Sequence, residues 1–170
     1  TRRLSPFDLQ ARMRLGKPPP PGAFLEFVGK AALDWPAEER SHLQESWNRL
    51  LPKLAALGVA LPDETITLIR TDGAEEAGSA YTRGTSIIFH PGSVAPGTAV
   101  DGLLTHELFH VISRADQDLR DQLYAIIGFT PCGEIALPES LAAKKITNPD
   151  APANQHSITL EIDGKPRPAL

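Results

Sequence analysis

The sequence predicts a single α+β domain, and three observations support this fold class. A chain of 170 residues, 41% of them hydrophobic, is long enough to bury one core. Several stretches repeat apolar residues every three or four positions, as helices do, and others alternate β-branched residues, as strands do. We therefore expect one domain over residues 1–170, with residues 1–58 helical and residues 59–170 containing a small, mostly antiparallel sheet.

The N-terminal part contains the first helical signals. Ser5 precedes Pro6, the order of an N-cap followed by a first helical residue. The stretch Phe24–Leu33 is apolar enough for a second helical piece. A longer helix should start near Asp34 and end at Gly58, because leucines and Trp47 share one face between these points. Pro52 is expected to kink or split this helix.

Strand signals appear in the second part. Thr65–Ile69 alternates and is β-branched, which predicts a strand. Ser79–Thr82 and Thr85–Phe89 flank Arg83-Gly84, an arrangement that predicts a hairpin with glycine at a positive φ. Ser157–Ile162 predicts a further strand, which a turn at Asp163-Gly164 should end.

A buried helix is expected after Gly97. Thr98 and Asp101 have the spacing of a capping box, with Asp in place of Glu, and apolar residues recur at helical spacing behind them. This helix carries His106 and His110, which lie one turn apart on the same face. Burying such residues is costly unless they are satisfied, which argues against two ordinary core histidines.

The segment His106-Glu107-Leu108-Phe109-His110 fits the H-E-x-x-H pattern of a zinc site. Two neutral imidazoles on one face can ligate a single Zn²⁺, and Glu107 beside them can take a proton from a bound water. The only cysteine, Cys132, excludes an intramolecular disulfide and a cysteine-based zinc cluster. We therefore predict a zinc site in residues 59–170.

A strand and hairpin followed by an H-E-x-x-H helix resembles the zincin metallopeptidases. The resemblance covers about a quarter of the chain and implies a zincin-like domain with His106 and His110 as zinc ligands and Glu107 as general base. It also implies that Ser86–Phe89 is the strand at the rim of the cleft, where an extended peptide pairs. The segment 147–152 resembles one in uncharacterised bacterial proteins that carry the same motif.

A catalytic zinc needs a third protein ligand. Glu134 lies 24 positions after His110, a spacing that resembles the gluzincins, although no E-x-x-x-D follows it. Asp116 has the metzincin offset of six, but Ser113 replaces the glycine of that pattern and the only methionine is Met13. We expect Glu134 to be the ligand. The remaining alternatives are Asp116, Glu139, Asp150 and His156.

Other polar residues have expected roles around the metal. Asp101 or Asp116 is a candidate to accept the free ring N–H of a ligating histidine. Tyr124 or His156 is a candidate to stabilise an oxyanion opposite the metal. For Asp150, a role in the turn after Pro149 is the stronger interpretation.

These observations predict a zinc-dependent metallopeptidase that hydrolyses peptide bonds in a peptide or protein substrate. Two alternatives are open: a zinc hydrolase acting on another amide or ester, and a non-catalytic binding domain with the same fold. A net charge of −4 without a Lys/Arg cluster argues against nucleic-acid binding, and we expect no membrane span. The sequence leaves oligomeric state and compartment open: Thr1–Ser5 has no apolar signal-peptide core, and a secreted or periplasmic location is compatible with prior removal of a signal.

Overall fold

The computed structural model describes residues 3–169 and shows the predicted α+β fold. The helices and strands are, in chain order, α1 (Pro6–Arg12), α2 (Ala23–Ala31), β1 (Ala32–Leu33), α3 (Ala37–Ala56), β2 (Thr67–Thr71), β3 (Tyr81–Arg83), β4 (Ser86–Phe89), α4 (Val100–Ala115), α5 (Gln117–Ile126), β5 (Phe129–Pro131), α6 (Glu139–Ala142), β6 (His156–Ile162) and β7 (Lys165–Ala169). A short 3₁₀ helix spans Ala74–Glu76. Within the described part of the chain, none of the helices has the length and apolar character needed to cross a bilayer.

The strands form two small sheets. The first has the order β1-β2-β4-β3, in which β2 and β4 are parallel and the other pairs are antiparallel. The second has the order β5-β6-β7 and is antiparallel throughout. The expectation of mostly antiparallel strands is therefore confirmed, with the β2–β4 pair as the exception.

The hydrophobic core lies between α3, α4 and the first sheet. Its fully or nearly fully buried side chains come from these elements and from the loop between β4 and α4: Leu43, Leu50, Ile87, Phe89, Val94, Val100, Leu104, Leu108, Val111 and Ile112. Because α4 buries one face against β4 and another against α3, its rotation about its own axis is fixed. That rotation decides which side chains of α4 reach the surface.

Three local signals in the N-terminal part are confirmed. Ser5 caps α1, where its Oγ accepts the Asp8 N–H at 3.0 Å and Pro6 is the first helical residue. Gly58 follows the end of α3 at φ +70°, and the Val59 N–H donates to the Leu54 carbonyl, which closes the helix as a Schellman motif. A short helix does form in the Phe24–Leu33 region, although its last two residues are β1.

Pro52 does not split α3, so that part of the expectation is wrong, while a kink at Pro52 stays a prediction; α3 starts at Ala37 rather than Asp34. The helix runs through Pro52, whose side chain is exposed. Proline removes one helical hydrogen bond, but Leu43 and Leu50 anchor the preceding turns in the core, and this packing outweighs the local loss.

The predicted capping box at the start of α4 is also wrong. Ala99 is the N-cap residue, and the Thr98 hydroxyl donates to the Ala95 carbonyl at 2.7 Å. Asp101 accepts two hydrogen bonds from Arg49 on α3, at 2.7 and 3.0 Å. The Asp101 side chain, which the local pattern assigned to the helix end, therefore takes part in a long-range ion pair with Arg49 instead.

The strand predictions are largely confirmed. β3 and β4 form the predicted hairpin, with Gly84 at φ +59°, and β2 lies two residues further along than Thr65–Ile69. β6 is present, and Asp163-Gly164 turns it back into β7 at φ +53° and +68°. The sequence did not predict β7, because Pro166 and Pro168 suit only an edge strand.

Candidate metal centre

His106 and His110 face each other across one turn of α4. Their Nε2 atoms are 3.1 Å apart, and the planes of the rings are nearly perpendicular. Two imidazole nitrogens bound at about 2.0–2.1 Å to one tetrahedral zinc ion lie roughly 3.3 Å apart. The distance in this helix therefore fits two ligands of a single ion, and His106 is exposed, so an ion can reach the pair from solvent.

Glu107 lies on the buried side of the same turn. The residue is 3% exposed, and its Oε2 has no hydrogen-bond partner among the described residues. Burial is the larger cause and the negative charge of Asp150 the smaller one, and together they raise the pKa of Glu107 to about 7. A buried carboxylate oxygen without a protein partner suits a site that supplies a water or a cation.

The electrostatics of His110 favour its neutral form. Burial is the largest cause that lowers the pKa of His110, and His106 and Arg114 act in the same direction, while Asp150 opposes them. Neutral imidazole is the form that binds metal. The environment of His110 is therefore compatible with ligation near neutral pH.

Asp150 is brought to this region from a distant part of the chain. Its Oδ1 accepts the Thr82 N–H at 2.6 Å and the Thr82 hydroxyl at 2.8 Å, and Arg114 donates to its carbonyl at 3.1 Å. Asp150 is also the carboxylate whose charge acts on both Glu107 and His110. The sequence included it among the alternatives, but no local pattern showed that it lies near the motif.

The structure does not bring Glu134 to the histidine pair. Glu134 is half-exposed and forms an ion pair with Arg3. Hydrogen bonds from Arg3 are the main cause that lowers its pKa. Within residues 3–169, no three His, Cys, Asp or Glu side chains are grouped closely enough to hold one metal ion. The two histidines thus face each other, whereas their role as metal ligands and the identity of the third ligand stay predictions.

The other candidate ligands also have defined partners or positions. Asp116 caps α5 by accepting the Leu119 N–H at 2.9 Å. His156 Nε2 lies 2.9 Å from the Asp121 carboxylate, and hydrogen bonding to His156 is the main cause that lowers the pKa of Asp121. Glu139 is exposed in the first turn of α6.

The two carboxylates expected to orient the histidines are engaged elsewhere. Asp116 is the α5 cap, and Asp101 is paired with Arg49, whose hydrogen bonds hold the pKa of Asp101 well below its usual range. The ring N–H groups of His106 and His110 therefore have neither of the predicted acceptors.

A cavity of about 700 Å³ opens beside His110. Its walls combine aromatic side chains from α4, α5 and β5 with the segment 148–156. Tyr124 and His156, the two candidates for oxyanion stabilisation, both line it and contact each other with ring centroids 4.7 Å apart. The structure thus places both next to the same cavity as His110.

The resemblance predicted that Ser86–Phe89 is the strand at the rim, and this assignment is wrong by one strand. β4 (Ser86–Phe89) is interior, because it pairs with β2 on one side and β3 on the other. The strand at the edge of the first sheet, beside α4, is β3. The sequence could not decide this point, because edge position depends on the parallel β2–β4 pairing between segments that are not adjacent in the chain.

Taken together, these features define an α+β domain in which an H-E-x-x-H helix packs beside an edge strand. A family model described as the eCIS core domain, the core domain of extracellular contractile injection systems, matches residues 70–118. That stretch runs from β2 to the start of α5 and includes the whole motif. The family is related to zincin-like metallopeptidases, and the chain is similar to it over this part. Neither the comparison with curated proteins nor that with solved structures gave a match.

Proposed function

We propose that this chain is a zinc-dependent peptidase domain in which His106 and His110 bind the metal and Glu107 is the general base. The observation that carries the proposal is the turn of α4 where two Nε2 atoms lie 3.1 Å apart beside a buried carboxylate whose Oε2 has no partner within residues 3–169. The similarity of residues 70–118 to a zincin-related family supports it.

The chemistry divides between the metal and the chain. Zinc, when bound, lowers the pKa of water toward about 7 and polarises a carbonyl group. Glu107 Oε2 accepts the proton of the attacking water and returns it to the leaving amine, so the same carboxyl group acts as base and then as acid. The Tyr124 hydroxyl lines the adjacent cavity and can donate to a developing oxyanion; the His156 ring lines it too, but its Nε2 is paired with Asp121.

The substrate that fits this arrangement is an extended peptide. An edge strand offers main-chain groups for β-type pairing, and β3 is the edge strand next to α4. The cavity beside His110 is walled by Phe109, Tyr124 and Phe129, which suits an apolar side chain of the peptide.

The test is a comparison of zinc content and peptide cleavage. The purified protein should bind about one zinc ion and cleave casein in a reaction that a chelator abolishes. Glu107→Gln should retain zinc and lose cleavage, because the amide cannot accept the proton. Full cleavage by Glu107→Gln, or cleavage insensitive to the chelator, would contradict the proposed mechanism.

The third ligand is tested in the same experiment. Asp150→Asn and Glu134→Gln differ in which carboxylate they remove, so zinc affinity separates the two candidates. Glu134 is supported by its spacing from His110, and Asp150 by its charge acting on His110 and Glu107. The variant that weakens zinc binding about 10-fold or more identifies the residue that supports the metal.

A non-catalytic binding domain is the second candidate function. It is favoured by one observation: no three-ligand group exists among residues 3–169. This alternative predicts that zinc binding is weak and that Glu107→Gln leaves all measurable behaviour unchanged. The partial match to the eCIS core domain supports, for either function, a role alongside a contractile injection system. Co-sedimentation of the chain with purified injection particles would test that setting.

A further inference from the structure

The free edge of β3 is covered by another segment of the same chain. Among residues 3–169, β3 pairs with β4 and with no second strand, yet Tyr81 is 2% exposed and Thr82 0%. At Thr82 the covering residue is Asp150, the last residue of the segment 145–150. Its carboxylate accepts the Thr82 N–H, which points away from β4, and the Thr82 hydroxyl. A side chain, rather than a paired strand, therefore satisfies the outward N–H of Thr82.

The same segment is also fixed to the helix that carries the motif. Arg114 lies one turn after His110 on α4 and donates to the Asp150 carbonyl at 3.1 Å and to the Thr82 hydroxyl at 2.8 Å. The segment 145–150 thus bridges β3 and α4. An extended peptide that used the Thr82 N–H for pairing would have to take the place of Asp150.

The N-terminal helix anchors the segment from its other side. Asp8, which is 0% exposed, accepts the Thr147 N–H at 2.9 Å, and Arg12 donates to the Thr147 carbonyl at 2.5 Å. The Ser5 hydroxyl donates to the Lys145 carbonyl at 3.0 Å. These contacts join positions more than 130 residues apart, so α1 holds the segment in addition to local hydrogen bonds such as that from the Asp150 N–H to Asn148 Oδ1.

We infer that the segment 145–150 is an intramolecular inhibitor that occupies the peptide-binding edge of β3, with α1 as its anchor. A peptide reaches the edge when the segment leaves it. The expected effect of the segment on cleavage rests on the proposed peptidase function. Whether the segment occupies the edge of β3 can be measured without any cleavage. If the segment served only to protect an unpaired edge, displacing it would open the edge to a peptide but would leave the rate of cleavage unchanged.

The test uses the segment itself as the probe. A fluorescein-labelled synthetic peptide with the sequence of residues 143–152 is titrated, in metal-free buffer, against the full chain, Asp150→Ala, Thr82→Val and the control Asp63→Ala. Asp63 is an exposed carboxylate without a hydrogen bond among the described residues. Thr82→Val keeps the N–H at the edge of β3 but removes the contacts of the hydroxyl group with Asp150 and Arg114. It therefore tests the attachment of Asp150 to Thr82 if Asp150→Ala does not fold.

Fluorescence anisotropy should show at least 10-fold tighter peptide binding to Asp150→Ala than to the unmodified chain or to Asp63→Ala. Thr82→Val should show a smaller gain. A peptide with alanine in place of its aspartate should not bind. Hydrogen exchange measured over β3 should become faster in both variants. Equal binding by all four proteins overturns the inference, and so does unchanged exchange over β3.

Cleavage of casein by the zinc-loaded proteins separates this inference from the proposed function. Peptide binding to Asp150→Ala without cleavage by any protein would contradict the peptidase and leave edge occupancy intact. Cleavage by the unmodified chain, with no peptide binding by the two variants, would contradict the inhibitor and leave the peptidase intact. Faster cleavage by Thr82→Val than by the unmodified chain is the result expected if both hold.

Discussion

Removal of the Asp8 carboxylate should destabilise the fold far more than removal of a similar carboxylate at the surface. Asp8 and Arg12 form an i,i+4 ion pair on α1 at 2.5 Å, with side chains 0% and 5% exposed. Glu26 and Lys30 form an i,i+4 pair on α2 at 2.6 Å, with both side chains well exposed. The two pairs share spacing and charge, so burial is the main difference between them.

The expected magnitude follows from the groups that Asp8→Ala leaves behind. Removing one partner of a buried ion pair costs about 3–5 kcal/mol, and the buried Thr147 N–H also loses its acceptor. Arg12 keeps its ion pair with Glu76 after the substitution. We therefore expect the loss in the free energy of unfolding to lie at the lower end of this range, at about 3 kcal/mol. An unfolding entropy of about 2.1 cal/mol/K per residue converts this into a fall in Tm of about 8 °C for a chain of 170 residues.

Urea denaturation and calorimetry of Asp8→Ala, Asp8→Asn and Glu26→Ala would measure these differences. Asp8→Asn keeps an acceptor for the Thr147 N–H but loses the charge, so its loss should be intermediate. Glu26→Ala should leave Tm almost unchanged, because an exposed pair is screened by solvent. A loss for Asp8→Ala no larger than that for Glu26→Ala would refute the view that α1 is fastened to residues 145–147 by a buried network.

Two further predictions concern α3. Arg49→Ala should raise the pKa of Asp101 toward its ordinary value of about 3.9, because the hydrogen bonds from Arg49 are the main cause that lowers it. A carboxylate whose pKa is lowered on folding adds stability that is lost as pH falls, so Arg49→Ala should reduce the loss of stability in acid that Asp101 causes, while Ser46 and Lys53 still lower this pKa. A carboxyl NMR titration measures this pKa, and an unchanged value would contradict the assignment. Pro52→Ala should stabilise the chain by about 1–2 kcal/mol, because it restores a helical N–H in an unbroken, exposed turn while it loosens the unfolded chain. A loss of stability on denaturation, with Lys53→Ala as the neutral control, would show that Pro52 contributes contacts of its own.

Much of the local structure could be predicted from the sequence, because the forces involved act over a few residues. The Ser5 cap, the Gly58 helix end and the hairpin at Gly84 all depend on groups within about five positions of one another. The same holds for His106, Glu107 and His110, whose relative positions follow from one turn of helix. The local pattern failed where a distant group intervened, as at Asp101, which Arg49 binds from another helix.

The sequence by itself thus determined the secondary structure around the motif, the α+β class and the facing pair of histidines. Only the tertiary structure decided that β3 rather than β4 is the edge strand, that Glu134 pairs with Arg3, and that Asp150 lies against Thr82. Each of these three features depends on contacts between segments that are far apart in the chain. A short-range periodicity does not show which distant groups will be buried or paired together. For that reason the histidine pair could be predicted from its spacing, whereas the segment that covers the neighbouring edge could not.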